Sequence, residues 1–300
     1  MSSAQRTIVG LGELLWDVLP GGRQLGGAPA NFAYVARLLG NQAFVASRIG
    51  ADDLGHEALE RLEDLHLSPL YVQRDEEHAT GQVRVEINET GEPRYTSFQD
   101  VAWDYLEWTP QWEQLAAQAD AVCFGTLAQR SVRSRETILR FLQGTRPGAL
   151  RLFDVNLRHS FVTAELLAQS LELASLVKLN GDELPRVAET LKLGGRGHHA
   201  FANRLRQVFE LEMVAITRGA KGSLLVTEEE MIEHSGFEVP VADTIGAGDA
   251  FAATLAHFYL QGAPLEKISD AANRAGAWIA TQTGATPLIN PCEFEQILSE

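Results

Sequence analysis

Asp249 closes the run Asp243-Thr244-Ile245-Gly246-Ala247-Gly248-Asp249-Ala250-Phe251, in which glycines and a carboxylate meet at the start of a helical pattern. Phe251, Leu255, Phe258 and Tyr259 fall on one helical face, with alanines between them. A helix start leaves backbone N–H groups unpaired and carries partial positive charge. Glycines let an anion approach those groups closely. A carboxylate beside an anion site repels the anion. Its placement makes chemical sense if Asp249 takes a proton from a hydroxyl that attacks a phosphoryl group. The other reading is an Asp that caps a helix after a glycine turn, which is common. The run alone leaves both open.

Further polar clusters follow short apolar runs that read as strands. Asp154, Asn156 and Arg158 follow Leu152-Phe153, and Lys178, Asn180, Asp182 and Glu183 follow Leu176-Val177. Thr217-Arg218-Gly219-Ala220-Lys221-Gly222 follows Val214-Ala215-Ile216, and Asp249 follows an extended segment, Phe237 to Val241. In open α/β sheets ligands bind beyond the carboxyl ends of the strands. Four clusters in matching positions offer carboxylates and an amide for magnesium-bound phosphates, and a cation for transferred charge. No Gly-x-x-x-x-Gly-Lys-[Ser/Thr] run occurs, and Gly10-Leu11-Gly12 lacks the third glycine of a dinucleotide fingerprint. A Gly-x-Ser-x-Gly elbow and a His-Glu-x-x-His helix are also missing.

The elements that must position these residues alternate. Ile8 to Leu19 reads as a strand that leaves Glu13 and Asp17 among apolar neighbours, and Gly26-Gly27-Ala28-Pro29 opens a helix with Phe32, Val35 and Leu39 as its buried stripe. Strands at Ala43–Ile49, Ala121–Phe124, Leu150–Val155, Ser175–Lys178 and Met213–Thr217 are separated by helical patterns, which implies a mostly parallel sheet covered on both faces. Gly222–Val226 and Met231–Ser235 read as an edge hairpin. Between Leu70 and Phe98, Val83, Val85 and Ile87 alternate with polar residues around a turn at Asn88–Gly91, the pattern of an antiparallel ribbon too small to stand alone. Its apolar face must cover a substrate site, a partner subunit or both. Gly194–His199 reads as a solvated loop.

The 300 residues suit one domain spanning 1–300 with a small insertion. A net charge of −15 argues against nucleic acid as a partner. Two cysteines without metal-type spacing fit a reducing, cytoplasmic setting. No apolar run is long enough to span a membrane, and Met1 to Thr7 does not resemble a signal peptide.

Asp243–Asp249 resembles the C-terminal signature of the ribokinase-like (PfkB) carbohydrate kinases, and Gly26-Gly-Ala-Pro-Ala-Asn31 is similar to their N-terminal signature. Asp154-Val-Asn-Leu-Arg158, Asn180-Gly-Asp-Glu183, Thr217-Arg-Gly219 and Gly284-Ala-Thr-Pro287 stand in the family's order, so the resemblance spans nearly the whole chain. It implies a three-layer α/β/α ribokinase-like fold with a β lid formed mainly by about residues 12–25 and 70–98. It also implies transfer of the γ-phosphoryl group of ATP, with Mg²⁺, to a sugar hydroxyl. By position, Asp249 is the base and the N–H groups of Gly246, Ala247 and Gly248 form the anion hole. Asp17, Gly27, Asn31, Phe98 and Arg158 fall on the sugar, and Asn180, Thr217, Gly219, Gly222 and Asn273 near the nucleotide. Glu183 organises Mg²⁺ through water, and Asp243 with the Ile245 carbonyl would hold a monovalent cation, K⁺. Leu288 stands where some relatives carry Ser, a departure that bears on K⁺ and not on catalysis. Gly26–Asn31, Ala102-Trp103-Asp104 and Thr286-Pro287 are most similar to the bacterial fructokinase branch. Ribokinase, 2-keto-3-deoxygluconate kinase, a nucleoside kinase and a non-catalytic sugar sensor are the alternatives. A lid with one apolar face also suggests a homodimer.

Overall fold

The structure, a computed structural model, describes residues 5–19, 21–87, 93–157, 161–195 and 197–299. Its elements in chain order begin with β1 (Thr7–Leu11), β2 (Leu15–Leu19), β3 (Gly22–Gly26), α1 (Ala28–Leu38), β4 (Gln42–Gly50), α2 (Asp53–Asp64) and β5 (Val72–Asp75). Next come β6 (Gly81–Ile87), β7 (Pro93–Ser97), α3 (Pro110–Gln118), β8 (Ala121–Phe124), α4 (Val132–Gln143), β9 (Leu150–Asp154) and α5 (Ala164–Leu173). The chain continues through β10 (Leu176–Asn180), α6 (Glu183–Thr190), α7 (Gly197–Phe209), β11 (Met213–Thr217), β12 (Ser223–Val226) and β13 (Met231–His234). It ends with α8 (Ala247–Leu260), α9 (Leu265–Ala280) and α10 (Pro291–Ile297).

A nine-stranded sheet runs β13-β12-β11-β10-β9-β8-β1-β4-β5, and only β12 and β13 pair antiparallel. Its central strands are buried on both faces, which is why they read as continuous apolar runs rather than alternations. One face carries α1, α8 and α9, with Phe32, Val35, Phe251, Leu255 and Ile279 in the core between them. The opposite face is built on Trp112, Phe141, Phe153, Leu171 and Phe201. This is a three-layer α/β/α arrangement, as the resemblance implies.

The chain steps outward from β1 to β4 and β5, then returns to β8 on the other side of β1 and continues to β11. The reversal at β1/β8 leaves a crevice at the carboxyl ends of those strands. A second, four-stranded sheet of order β3-β2-β6-β7 lies apart from the first.

Four details depart from the sequence reading. The expected strand Ile8–Leu19 is two strands in two sheets. The chain breaks at Gly12, whose φ of +147° is a conformation that side chains rarely adopt. Val72–Asp75, expected in the ribbon, pairs parallel with β4 at the edge of the large sheet, so the small sheet resumes only at Gly81. His198 and His199 lie in the first turn of α7 rather than in a loop. Phe237 to Val241 joins neither sheet.

Candidate active site

α8 begins at the crevice. Its N-cap, Gly246, is left-handed at φ 80°, and a Cβ there would meet the Ala285 Cβ at 2.5 Å. Both the torsion and the crowding demand glycine. No side chain caps this helix among the described residues, so its first turn keeps backbone donors for a ligand. Ala247 N–H lies 3.3 Å from the Thr244 carbonyl, a weak turn bond. Asp249 sits in that first turn and accepts a 2.8 Å hydrogen bond from Asn31 Nδ2. Asn31 belongs to α1, which starts at Gly27 with Pro29 in its first turn. Asn31 is buried, and its Oδ1 has no partner among the described residues.

Beneath α8 lies a buried ion pair. Lys178 Nζ donates to both oxygens of Asp154, at 3.0 and 2.9 Å. A Cβ at Gly248 would lie 2.8 Å from that ammonium, so Gly248 leaves room for the cation under the helix start. Burial alone would lower the Lys178 pKa. The carboxylates of Asp154, Asp249 and Glu183 outweigh it and hold the ammonium above its ordinary value. The enclosed pocket beside this pair is lined by Glu13, Thr126, Asp154, Asn156 and Asp249, with Cys123 in its wall. The Cys123 thiol is pushed well up, first by burial and then by the Asp154 and Asp249 charges. It stays protonated and is a poor nucleophile.

Glu183 stitches two loops together. Its Oε2 accepts the Asn180 N–H and its Oε1 the Leu157 N–H, both at 2.7 Å. Asn180 Oδ1 in turn accepts the N–H groups of Asp182 and Glu183. Burial is the main cause that raises the Glu183 pKa, partly opposed by those N–H bonds.

The sequence-predicted residues fall into two neighbouring groups. Asn31 touches Asp249, and Gly27 caps the helix that carries Asn31; Asp17 stands beside the preceding Gly26, its Oδ2 2.2 Å from where a Cβ there would lie. Along the ends of β10 and β11 stand Asn180, Thr217, Gly219 and Gly222. The Thr217 carbonyl accepts the Gly181 N–H at 2.9 Å, and Gly219 and Gly222 shape the turn before β12. Asn273 lies one layer deeper, its amide donating to Ser223 Oγ and the Ser269 carbonyl, so it ties α9 to β12. Phe98 follows β7 with its ring against Arg84, and 39% of it is exposed. Asp243 accepts the N–H groups of Ile245 and Gly284 and braces the loop before α8. Arg158 lies outside the described residues. Among the described residues no group of three or more His, Cys, Asp or Glu could hold a metal. No helix there is long and apolar enough to cross a membrane.

Thr126 and Cys123 received no assigned role from the sequence, and Lys178 only a place in a polar cluster that offers a cation. The signal for Lys178 was present, since a lysine inside the apolar strand Leu176–Leu179 must be paired. Its partner was not legible, because only the sheet order brings β9 beside β10. Thr126 and Cys123 carried no signal, being ordinary residues at the end of an apolar strand.

Residues 13–291 match one family model, pfkB family carbohydrate kinase. The fructokinase of Escherichia coli is 30% identical over 306 residues, covering 95% of this chain and 96% of that protein. The aminoimidazole riboside kinase of Salmonella typhimurium is 31% identical, covering 91% of this chain and 88% of that protein. The crystal structure of an uncharacterised sugar kinase from Pyrococcus horikoshii in complex with ATP superposes with a TM-score of 0.80 at 27% identity, covering 96% of each chain. With its glycine-capped helix, Asp249 at the crevice and a family match over nearly its full length, this chain belongs to the PfkB family of carbohydrate kinases.

Proposed function

We propose that this sugar kinase transfers the γ-phosphoryl group of ATP to a hydroxyl of fructose, with Asp249 as the general base. The observation that carries the reading is the position of Asp249. It is held by Asn31 in the uncapped first turn of α8, directly above the Lys178–Asp154 pair. The acceptor oxygen attacks the γ-phosphorus, its proton goes to Asp249, and the bond to the β-phosphate oxygen breaks to release ADP. Backbone N–H groups of Gly246 to Gly248 face the transferred charge without having to reorganise. A base so placed contributes roughly 10²–10⁴-fold.

The nucleotide is read onto Asn180, Thr217, Gly219 and Gly222, with Asn273 supporting them from below. Mg²⁺ fits this site only as an ion carried on phosphates and water. Both Glu183 oxygens already accept backbone N–H groups, and their remaining lone pairs suit a bound water better than direct ligation. The ion would supply charge neutralisation on the phosphates. Asp243 and the Ile245 carbonyl are the proposed K⁺ contacts. A homodimer through the small sheet belongs to the same reading, and light scattering that gives the mass of one chain at every concentration would contradict it. The two free cysteines suit a reducing cytoplasm.

Fructose is favoured by the near full-length similarity to a fructokinase. A riboside acceptor is the second reading, favoured by the similar match to aminoimidazole riboside kinase. Both offer a primary hydroxyl on a furanose ring, and they differ in what stands at the anomeric carbon and in the configuration of the hydroxyl beside it. A phosphorylation screen with ATP and Mg²⁺ over fructose, ribose, 2-keto-3-deoxygluconate, adenosine and aminoimidazole riboside, with and without K⁺, separates them. Fastest turnover on fructose supports the proposal. Fastest turnover on a riboside replaces the sugar and keeps the chemistry.

A further inference from the structure

The β6–β7 ribbon of the small sheet joins the body at two roots, Gly81 at the start of β6 and Phe98 just after β7. One guanidinium serves both. Arg130 donates from Nε to Asp104 Oδ1 and from Nη2 to Asp104 Oδ2, each at 2.7 Å. Its Nη2 also donates to the Phe98 carbonyl at 2.6 Å. The guanidinium carbon stands 3.8 Å from the ring centre of Trp103, whose indole nitrogen would be 2.2 Å from a Cβ at Gly81. Arg130 is only 10% exposed and Asp104 8%, so this pair is not a solvated surface contact.

Arg130 also ends the turn Leu127–Arg130. Leu127 and the preceding Thr126 line the pocket that holds Asp249. The same side chain therefore joins the wall of that pocket to the base of the small sheet. β6 pairs in register with β2, Val83 beside Asp17, so Asp17 moves with β6. A shift of the ribbon at Gly81 and Phe98 would therefore displace Asp17 against Gly26 at the start of α1.

Building on the reading of the chain as a kinase of a small hydroxyl acceptor, we infer that Arg130 is a positioning residue for that acceptor, holding β6, and through it Asp17 beside the Gly26–Gly27 start of α1, in place relative to the helix that carries Asn31. Lysine cannot replace it, because one ammonium cannot hold a carboxylate bidentately, a carbonyl and an aromatic face at once. Displacements of about 1 Å at a reacting centre cost up to about 100-fold.

The test compares wild type, Arg130→Lys and Arg130→Gln, with fructose and ATP varied separately. The inference expects the fructose KM to rise by about 10-fold or more in both variants, with the ATP KM within about twofold. Hydrolysis of ATP relative to sugar phosphorylation should rise as the cover over the site loosens. A general loss of structure would instead lower the folded fraction and leave both KM values alone, or raise both together. Either pattern overturns the inference. Arg130→Lys keeps the charge and serves if the glutamine variant does not fold. If wild type phosphorylates no sugar, the functional reading fails separately. Hydrogen exchange without substrate then decides, with faster exchange expected at β6 and β7 in Arg130→Lys and unchanged exchange at β9 and α8. Equal exchange at β6 and β7 would overturn the inference.

Discussion

Lys178 and Asp154 give the site its electrostatic floor. Three carboxylates, Glu13, Asp154 and Asp249, line one small pocket, and the ammonium of Lys178 offsets them from beneath Gly248. Lys178→Met should cut turnover, because the cation under the helix start is lost where phosphoryl charge develops. It should also destabilise the fold by about 3–5 kcal/mol, since Asp154 is left buried and unpaired. The double variant Lys178→Met, Asp154→Asn should recover much of that stability and none of the turnover, as denaturant titration and initial rates would report. Full recovery of turnover in the double variant would remove Lys178 from the electrostatics of transfer. Asp249 was legible in the sequence because its glycine neighbours mark a helix start. The Lys178–Asp154 pairing was not, because residues 24 positions apart meet only through the pairing of β9 with β10.

At the level of elements, the junction between the loop braced by Asp243 and α8 controls the site. Gly246 ends that loop in a left-handed turn against Ala285, on a segment that Asp243 holds through Gly284. Gly246→Ala should cost at least about 1 kcal/mol for the torsion alone. It should also tilt the first turn of α8, lowering turnover more than the loss of stability explains. Thermal unfolding and kinetics on the same preparation check this, and a variant with native turnover would show that the helix start tolerates displacement. The alternation of strands and helices was readable from periodicity, as were the start of α1 and the edge hairpin β12–β13. The division of Ile8–Leu19 between two sheets was not. A buried strand and a strand that crosses to another sheet share the same apolar pattern, and Gly12 signals only a break. The place of Val72–Asp75 was equally hidden, since four residues carry too little periodicity to choose between an edge of the large sheet and the ribbon.

For the whole molecule, the sheet order decides where chemistry collects. Parallel strands with a reversal at β1/β8 bring the ends of β1, β8, β9 and β10 to one crevice, and α8 closes it. Away from the crevice, α8 also carries His257, which lies 3.0 Å from the Asn41 amide. Its pKa falls to about 4, mainly through burial and secondarily through Lys267. The folded His257 stays neutral while its unfolded counterpart takes a proton below about pH 6.5. Stability from this group is therefore complete above pH 6.5 and falls as the pH drops toward 4, by at most about 3 kcal/mol. Denaturant titrations at pH 7 and pH 5 should show the loss, and His257→Gln should flatten it. A variant with an unchanged pH profile would assign the loss to other groups.

The central claim is that Asp249 is the base for phosphoryl transfer to a sugar hydroxyl. Its most direct test is the turnover of Asp249→Asn with ATP, Mg²⁺ and fructose, alongside ATP binding by the same protein. The account predicts turnover lower by roughly 10²–10⁴-fold, with ATP affinity nearly unchanged. Near-normal turnover with intact ATP binding would contradict it and leave Asp249 as a structural partner of Asn31.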